Sequence, residues 1–387
     1  MKRNVLVAHG GGPTTVINAS LFGVVDEALK YDQIGTVYGA VHGVEGVLKE
    51  ELIDLSAVSR AQIDLLPHTP SSALGSCRHK VSEDEYPRIL EVLKKYNIGY
   101  FFYNGGNDSM DTCDKINRLC KEAGYEICAI GIPKTIDNDL AMTDHTPGFG
   151  SAARFIANNT RDLWMEVRAM PLYVTILETM GRNAGWLAAS AAMAEYNGKP
   201  CAQLVYLPEI TFDIDRFLGD VDGLLKKQRE ILIVVSEGLT DSTGNMISDQ
   251  GFVDGFGHKL AGGVAQTLRD SIQKNLGASA RAERHGFLGR ASMVMQSDVD
   301  REEAIAVGRR AIQLAMQGET GLMVTLQRTS DAPYCCEQGT APLHVVANEE
   351  RFFPMEWLNE AKNGVTDDFK KYCAPLLGKP FTPYTIL

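Results

Sequence analysis

The chain has 387 residues, which is enough for two domains or for one large α/β unit. Hydrophobic residues make up 44% and charged residues 22%, a balance typical of a globular protein, and the formal net charge of −11 argues against a nucleic-acid-binding role. The longest apolar runs, such as 184–194, are too short to span a membrane. Any anion site in so acidic a chain must be built locally, from lysines, arginines and backbone N–H groups.

The predicted elements alternate between strands and helices along the chain. The first is a buried strand at 4–9, and glycines 10–12 and a helical pattern follow it. The order of strand, glycine turn and helix recurs in 99–124 and in 171–194. Further strands are predicted within 126–135, 201–209 and 230–239, and helices at 258–276 and 300–318. This alternation predicts two Rossmann-like α/β domains with mainly parallel sheets, whose ligands bind at the carboxyl ends of the strands.

The cysteines and histidines show no metal-ligand spacing. The eight cysteines contain no CxxC pair, and Cys335 and Cys336, which are adjacent, are poor disulfide partners for each other. The eight histidines show no HExxH or similar pattern. Free thiols in a reducing cytosol are therefore the expectation, and the predicted location is cytoplasmic.

Two glycine-rich turns follow predicted strands. Glycines 10–12 form either a tight turn alone or a turn whose backbone N–H groups meet a phosphate. In the second turn, "YNGGNDSM" (103–110), Asn107, Asp108 and Ser109 fit the start of a helix, but N-capping accounts for one of the three. A carboxylate at 108 repels phosphate unless a metal ion or a lysine lies between them.

The run "IPKTIDNDL" (132–140) places charged groups at the end of a buried strand. Asp137 is a candidate base for a hydroxyl proton, Asp139 a candidate metal ligand, and Thr135 and Lys134 candidate partners of an incoming anionic group. The alternative is an Asx-type turn with incidental charges.

Three further clusters lie later in the chain. In "ETMGRNAGW" (178–186), Gly181 and Arg182 directly follow a predicted strand, and Arg182 is either a surface residue or a group that neutralises a phosphoryl in transfer. Glu237 ends the apolar run before it and either binds sugar hydroxyls or caps the next element. The segment "RAERHGFLGR" (281–290) holds Arg281 and Arg290, with a solvated basic strand as the alternative.

The combination of these motifs resembles the phosphofructokinase family. The glycines near residue 11, "GGNDS", "PKTIDND", "MGR", "SEG" and the late "R…GFLGR" occur in the order and spacing of that family, from about residue 4 to residue 315. The resemblance implies the phosphofructokinase fold, with two three-layer domains and an active site in the cleft between them. It also implies phosphoryl transfer to a sugar hydroxyl with Mg²⁺ present.

The resemblance also implies roles for individual residues. Asp137 would be the base, Asp139 would lie close to the metal, and Thr135 and Arg182 would contact the transferring phosphoryl group. Three positions match residues that hold the sugar, namely Met180, Gly181 and Glu237. Two match arginines that hold the sugar's own phosphate, one of them across a subunit interface, namely Arg281 and Arg290. The matching glycines on the donor side are Gly11 and Gly106.

Two positions bear on the phosphate donor. In the family that this chain resembles, ATP-using members have glycine at the positions of Asp108 and Lys134. Pyrophosphate-using members have aspartate and lysine there, as this chain does. A carboxylate at 108 occupies the space of a nucleotide's α-phosphate, and an ammonium group at 134 neutralises pyrophosphate. These two positions predict a pyrophosphate donor. Together with the family resemblance, they imply transfer from pyrophosphate to the 1-hydroxyl of fructose 6-phosphate, with Mg²⁺ as the cofactor.

Three departures from the family pattern keep alternatives open. Asn107 stands where an aspartate usually helps to bind Mg²⁺, and Tyr173 and Phe287 stand where polar residues usually hold the sugar phosphate. The acceptor is then fructose 6-phosphate, another sugar phosphate such as sedoheptulose 7-phosphate, or an unphosphorylated sugar or polyol such as myo-inositol. A non-catalytic sugar-phosphate sensor is a further alternative.

The predicted organisation follows the family. Residues 1–148 with about 291–345 are expected to form the phosphate-donor domain, 149–290 the sugar-acceptor domain, and 346–387 a C-terminal extension. The resemblance implies a homodimer or homotetramer, and neither a nucleic-acid partner nor a membrane is expected.

Overall fold

The computed structural model describes residues 2–171, 173–248, 263–347 and 349–387. The chain forms two compact units, one of Met1–Phe149 with Arg290–Arg351 and one of Gly150–Gly289 with Phe352–Leu387. The tail that the sequence sets apart from residue 346 is thus divided, because its last part packs into the second unit.

The strands of the described residues are β1 Arg3–His9, β2 Ile34–Ala40, β3 Leu52–Asp54, β4 Ile98–Gly105, β5 Cys128–Pro133, β6 Val174–Thr179, β7 Glu195–Tyr196, β8 Lys199–Pro200, β9 Leu204–Tyr206, β10 Ile231–Ser236, β11 Ala280–Arg284, β12 Leu322–Asp331 and β13 Tyr334–Pro342. The α-helices are α1 Ile17–Ala28, α2 Val44–Lys49, α3 Arg60–Ile63, α4 Tyr86–Lys95, α5 Asn107–Glu122, α6 Phe149–Ala169, α7 Trp186–Ser190, α8 Ile214–Leu225, α9 Val264–Leu276, α10 Leu288–Ala291, α11 Asp298–Met316, α12 Leu343–Val346 and α13 Asp367–Cys373.

The first unit is built on a seven-stranded sheet in the order β13-β12-β5-β4-β1-β2-β3. The five strands from β12 to β2 run parallel, and only the edge strands β13 and β3 are antiparallel to their neighbours. Side chains alternate along β1: Val5 and Val7 pack in one apolar cluster with α1 and α11, and Leu6 and Ala8 pack in another with α4 and α5. Both faces of the sheet are covered, as parallel sheets require.

The second unit is built on a four-stranded parallel sheet in the order β11-β6-β10-β9. Its central strands are fully buried, and one face packs against α8 and α9 through Phe217, Val221, Leu268 and Ile272. Asp213 begins α8 by accepting hydrogen bonds from two backbone N–H groups of its first turn. The two sheets confirm the predicted fold class of Rossmann-like units with mainly parallel strands.

An aromatic cluster joins the C-terminal tail to the core of the second unit. Phe353 is 1% exposed, and its ring lies 5.2 Å from Trp186 and 5.2 Å from Phe369. Trp357 and Tyr372 complete the cluster around the fully buried Trp186. Aromatic packing of this kind supplies a large part of the apolar burial of a small sheet.

Replacing Phe353 with alanine is expected to destabilise the second unit by about 3–5 kcal/mol, because a buried ring is lost and a cavity remains. All three tryptophans, Trp164, Trp186 and Trp357, belong to that unit, so tryptophan fluorescence during urea unfolding reports on it alone. The matched control is the neighbouring Phe352→Ala, since Phe352 is 53% exposed. Equal unfolding midpoints for the two variants would contradict the packing role of the tail.

The predicted elements are confirmed where the structure describes them, with differences at their ends. The helix predicted at 258–276 is described from Val264 to Leu276, and 258–262 lie outside the described residues. All eight cysteines are free thiols, as predicted. Among the described helices, none combines the length and apolar character needed to cross a membrane.

Candidate active site

Three turns of the first unit emerge from adjacent strands at the same edge of the sheet. β1, β4 and β5 are parallel neighbours, with His9 opposite Asn104 and Gly105 opposite Pro133. The turn after β1 is tied to β4 by the bond from Gly10 N–H to the Asn104 carbonyl, at 2.9 Å. The turn after β5 is tied to β4 by the bond from Lys134 N–H to the Gly105 carbonyl, at 3.0 Å. The glycine turns and the "PKTIDND" run therefore lie together, as the strand pattern predicts.

Three cationic side chains surround the glycine turn after β1. The Lys134 ammonium donates to the Gly12 carbonyl at 2.7 Å and lies 3.4 Å from where a Cβ atom on Gly11 would stand. A Cβ atom on Gly12 would overlap the guanidinium of Arg290 and lie 3.8 Å from that of Arg78. A side chain at 12 would therefore displace the Arg290 guanidinium, and the left-handed backbone at 11, with φ of 74°, favours glycine there.

The electrostatics of this turn favour an anion. Lys134 is 3% exposed, and burial together with the positive charge of Arg290 lowers its pKa to about 7. Asp137 acts in the opposite direction on the Lys134 pKa, and Arg78 lowers it further. Since the two guanidinium groups repel the buried ammonium group, a bound polyanion would relieve that repulsion.

His9, at the end of β1, is neutral. It is fully buried, and burial together with the charge of Lys134 lowers its pKa to about 3. Its Nδ1 atom lies 2.8 Å from the Ser72 hydroxyl. His9 therefore adds a polar lining to the turn but no further charge.

The loop after β5 is held in a defined conformation. The Asp137 N–H donates to the Thr135 hydroxyl at 3.0 Å, and the fully buried Asn138 adopts a left-handed backbone with φ of 55°. The Asn138 side-chain oxygen accepts from the Thr146 N–H at 3.0 Å, and the Thr146 hydroxyl donates to the Thr135 carbonyl at 3.0 Å. These bonds account for the asparagine in the motif as a conformational anchor, and they leave Asp137 partly exposed.

Several oxygen atoms at this edge are buried without a hydrogen-bond partner in the described part of the chain. Those that belong to the predicted site residues are Oδ1 of Asn107 and Oδ1 of Asp139, and Oδ1 of Asn104 at the end of β4 is a third. Burial and the neighbouring carboxylates of Asp137 and Glu350 raise the pKa of Asp139 well above its ordinary range. An unpaired buried oxygen is costly, and a cation satisfies such atoms directly.

Asp108 lies at the start of α5, directly after the second glycine turn. The N-cap of α5 is Gly106, and the structure gives it no side-chain capping bond, so Asn107, Asp108 and Ser109 occupy the first turn of the helix. Side-chain capping, which would have accounted for one of these three residues, is therefore not seen at the start of α5. The Asp108 carboxylate is exposed, and it places a negative charge where a helix N-terminus would otherwise attract an anion.

In the second unit, the predicted residues follow strands that are also neighbours. Met180, Gly181 and Arg182 come directly after β6, and Glu237 comes directly after β10, with Thr179 opposite Ser236. The Ser236 hydroxyl donates to the Gly181 carbonyl, and the Glu237 N–H donates to the Thr179 carbonyl at 3.0 Å. The structure thus brings these four predicted residues to one edge of the second sheet.

The arginines of the "RAERHGFLGR" segment differ in their surroundings. Arg281 is exposed on β11, and its guanidinium lies 4.6 Å from the centre of the Tyr173 ring. Arg284 pairs with the buried Glu178 at 3.3 Å and with Glu237 at 3.5 Å. Tyr173 therefore supports Arg281 by a cation–π contact. From the sequence alone, Tyr173 indicated only that a polar ligand of the sugar phosphate is missing at this position.

Arg290 and Arg78 belong to the first unit, on the side of the glycine turn. The sequence predicts Arg290 as a ligand of the sugar phosphate and does not single out Arg78. Arg78 lies outside the described strands and helices, so the rule that ligands bind after strands gives no signal for it. Its neighbour Cys77 forms an isolated parallel β-bridge with Gly10. This bridge positions Arg78 next to the glycine turn after β1.

The carboxyl edge of this parallel sheet carries a buried ammonium group, two guanidinium groups and a pair of carboxylates. Such a combination of charged groups is typical of an enzyme that transfers phosphoryl groups. A sequence model described as "Phosphofructokinase" matches residues 4–315, and the chain belongs to that family.

Known relatives cover nearly the whole chain. A protein of Halomonas elongata named pyrophosphate–fructose 6-phosphate 1-phosphotransferase is 42% identical over 99% of this chain and 94% of its own length. A sulfofructose kinase of Alkalicoccus urumqiensis is 35% identical over 92% of both chains. The crystal structure of a pyrophosphate-dependent phosphofructokinase from Nitrosospira multiformis has a TM-score of 0.91 and 40% identity, covering 99% of this chain and 94% of that one.

Proposed function

We propose that this chain is a pyrophosphate-dependent phosphotransferase that phosphorylates the 1-hydroxyl of fructose 6-phosphate, giving fructose 1,6-bisphosphate and phosphate. The observation that carries the proposal is the buried Lys134 ammonium, held at the Gly12 carbonyl beside Arg78 and Arg290. Such a cluster suits a compact anion of two linked phosphates. Relatives of about 40% identity over nearly the full length carry the same activity in their names.

On the donor side, Lys134 and Arg78 neutralise pyrophosphate, and Gly11 and Gly106 admit it close to the backbone. Asp108 sets the specificity. Its exposed carboxylate at the start of α5 repels the α-phosphate of a nucleotide, whereas pyrophosphate does not extend that far. The first unit is accordingly the donor domain.

The residues present fit a magnesium ion. Asn107 and Asp139 would hold it, since each directs a buried oxygen without a partner, and oxygen is the ligand type that Mg²⁺ prefers. When bound, the ion would neutralise negative charge on the phosphates. The neutral amide of Asn107 makes a weaker ligand than the aspartate usual in the family, so a higher Mg²⁺ requirement follows.

Asp137 is the base of the proposed reaction. It takes the proton from the acceptor hydroxyl while that oxygen forms a bond to one phosphorus of pyrophosphate. The bridging P–O bond then breaks, and phosphate leaves. Thr135 and Arg182 stabilise the charge of the phosphoryl group in transfer.

The second unit is proposed to bind the acceptor. Met180, Gly181 and Glu237 would hold the sugar, and Arg281, supported by Tyr173, would hold its 6-phosphate. Arg290, which lies beside the glycine turn of the donor side, is proposed to contribute to pyrophosphate binding. Tyr173 stands where relatives have a basic residue that helps to hold the sugar phosphate. Its cation–π contact orients Arg281, so the position still contributes to phosphate binding in this proposal.

An acceptor panel tests this proposal. With pyrophosphate and Mg²⁺ fixed, kcat/KM is compared for fructose 6-phosphate, sedoheptulose 7-phosphate, sulfofructose and myo-inositol. Fructose 6-phosphate is expected to give the highest value. A higher kcat/KM for another acceptor would assign the chain to that substrate, and the sulfonate is included because a relative of 35% identity is named for it. No turnover with any acceptor would favour the sensor alternative.

The assembly and location are proposed from the family. A homodimer or homotetramer is proposed, and the exposed apolar side chains of Phe287 and Leu288 offer a surface that such an assembly would cover. A cytoplasmic location is proposed because the cysteines are free thiols.

The pKa of Lys134 predicts how donor affinity depends on pH. Below about pH 7 the ammonium is charged before pyrophosphate binds, so its full attraction is available. Above that pH the amine must take up a proton when pyrophosphate binds. The ratio of KM for pyrophosphate in Lys134→Met to that in wild type is therefore expected to fall by up to about tenfold per pH unit. Because the titration of pyrophosphate itself cancels in that ratio, a ratio that stays constant from pH 6 to 9 would contradict this role.

A further inference from the structure

A second polar cluster lies in the first unit among residues to which the proposed reaction gives no role. His145 follows the "PKTIDND" loop, Glu303 lies in α11 and Cys336 lies in β13. One ligand atom from each of these three residues falls within 4.8 Å of the other two. His145 is 1% exposed and Glu303 8% exposed. Three segments that are far apart in sequence thus bring a nitrogen, an oxygen and a sulfur atom together, with His145 and Glu303 buried and Cys336 half-buried.

The surrounding side chains orient these three residues. The Nδ1 atom of His145 lies 2.8 Å from Oδ2 of Asp144, so its Nε2 atom is directed at the cluster. The Tyr334 hydroxyl donates to Oε1 of Glu303 at 2.6 Å. Arg328 in turn pairs with Asp144 at 3.1 Å. A carboxylate behind a histidine is the usual outer shell of a protein zinc ligand, since it fixes the ring and raises the basicity of the free nitrogen.

We propose that His145, Glu303 and Cys336 form a binding site for a transition metal of the Zn²⁺ class. Nitrogen, carboxylate and thiolate ligands together suit Zn²⁺ or Co²⁺, whereas Mg²⁺ prefers oxygen alone. The ligand set of this site differs from that of the proposed magnesium site, where Asn107 and Asp139 offer oxygen atoms only. A water molecule or the Tyr334 hydroxyl, 3.4 Å from Nε2 of His145, is available for the fourth position.

Metal binding displaces two protons. Burial alone would lower the pKa of His145, but Glu303 and Asp144 outweigh it and raise that pKa to about 9. Burial raises the pKa of the Cys336 thiol to about 12, and Glu303 adds to the rise. A metal ion binds the neutral imidazole and the thiolate, so it displaces the protons that these groups carry.

The geometry requires a small adjustment. The Nε2 atom of His145 and Oε2 of Glu303 are 2.6 Å apart, joined by a hydrogen bond. Bonds of about 2.0–2.2 Å from a tetrahedral zinc ion to nitrogen and oxygen place these two atoms about 3.3 Å apart. The partners therefore separate by about 0.7 Å when the ion enters, a shift that side-chain rotation of Glu303 provides.

Direct metal binding tests the site. Tag-free full-length chain is freed of metal with a chelator and titrated with Co²⁺ and then Zn²⁺. About one Co²⁺ per chain is expected, with the absorption of a cobalt–thiolate bond, and Zn²⁺ is expected to displace it with a Kd below about 1 μM. Excess Mg²⁺ is expected not to compete.

Two matched cysteine variants make the test specific. Cys336→Ser is expected to abolish the cobalt–thiolate absorption and to weaken Zn²⁺ binding by at least about 100-fold, whereas Cys335→Ser, at the exposed neighbouring position, retains both. Asp144→Asn is expected to weaken binding by about 10–100-fold while keeping the thiolate absorption. The proposal is overturned if wild type shows no thiolate absorption, or if Cys336→Ser binds like wild type. Circular dichroism of each variant verifies that the fold is intact.

Discussion

Replacing Asp137 with asparagine is expected to lower kcat by about 10²–10⁴-fold, the contribution of a positioned general base. The substitution keeps the size of the side chain and the loop bonds from the Asp137 N–H to Thr135 and from Thr146 to Asn138. KM for pyrophosphate is therefore expected to change little, so the loss falls on the chemical step.

The same substitution at an exposed aspartate of the same unit is the control. Asp64, which pairs with Arg60 at the surface, is expected to tolerate asparagine with no change in kcat. If Asp137→Asn kept more than a tenth of wild-type kcat, Asp137 would not be the base, and the proton of the hydroxyl would have to leave by another route.

Replacing Lys134 with methionine is expected to lower kcat/KM for pyrophosphate by about 10²–10³-fold. The ammonium acts in a buried place where charge is poorly screened, and removal of one such preorganised donor has an effect of this size. Methionine retains the length of the chain, so packing beneath the glycine turn is preserved. The exposed Lys80, which lies two residues beyond Arg78, supplies the matched control, Lys80→Met.

Lys134 acts together with Asp108 in choosing the donor. The double change Asp108→Gly with Lys134→Gly removes the repulsion of a nucleotide and the attraction of pyrophosphate at once. The ratio of kcat/KM for ATP to that for pyrophosphate is expected to rise in the double variant by more than in either single variant. A ratio that does not move would show that donor choice lies in other residues.

The site of the first unit was largely predictable because its residues follow strands directly. The apolar runs before residues 10 and 134 identify β1 and β5, and the polar run at 132–140 is too dense in charge for an ordinary turn. Parallel neighbours present their carboxyl ends together, so a local pattern was enough to predict which turns meet.

Features that depend on distant partners were not predictable. Arg78 reaches the glycine turn through one isolated bridge, from Gly10 to Cys77, which leaves no periodic signal. Phe353 packs on Trp186, more than 150 residues away, and an apolar residue in a tail gives no indication of its partner. The cluster of His145, Glu303 and Cys336 has no ligand spacing in the sequence, because three separate elements contribute one residue each.

The conformational role of Asn138 was also hidden. In the sequence it is one polar residue between two aspartates. In the structure its buried side chain anchors the loop and its backbone is left-handed, which asparagine tolerates better than most residues. Short polar side chains serve turns, caps and catalysis alike, and only the hydrogen bonds distinguish these uses.

The most direct test is steady-state turnover of the wild-type chain with fructose 6-phosphate and Mg²⁺, using pyrophosphate in one series and ATP in the other. Because a buried ammonium attracts the small donor and an exposed carboxylate repels the nucleotide, kcat/KM for pyrophosphate is expected to exceed that for ATP by at least about 10³-fold. Efficient turnover with ATP, and little or none with pyrophosphate, would contradict the roles assigned to Lys134 and Asp108.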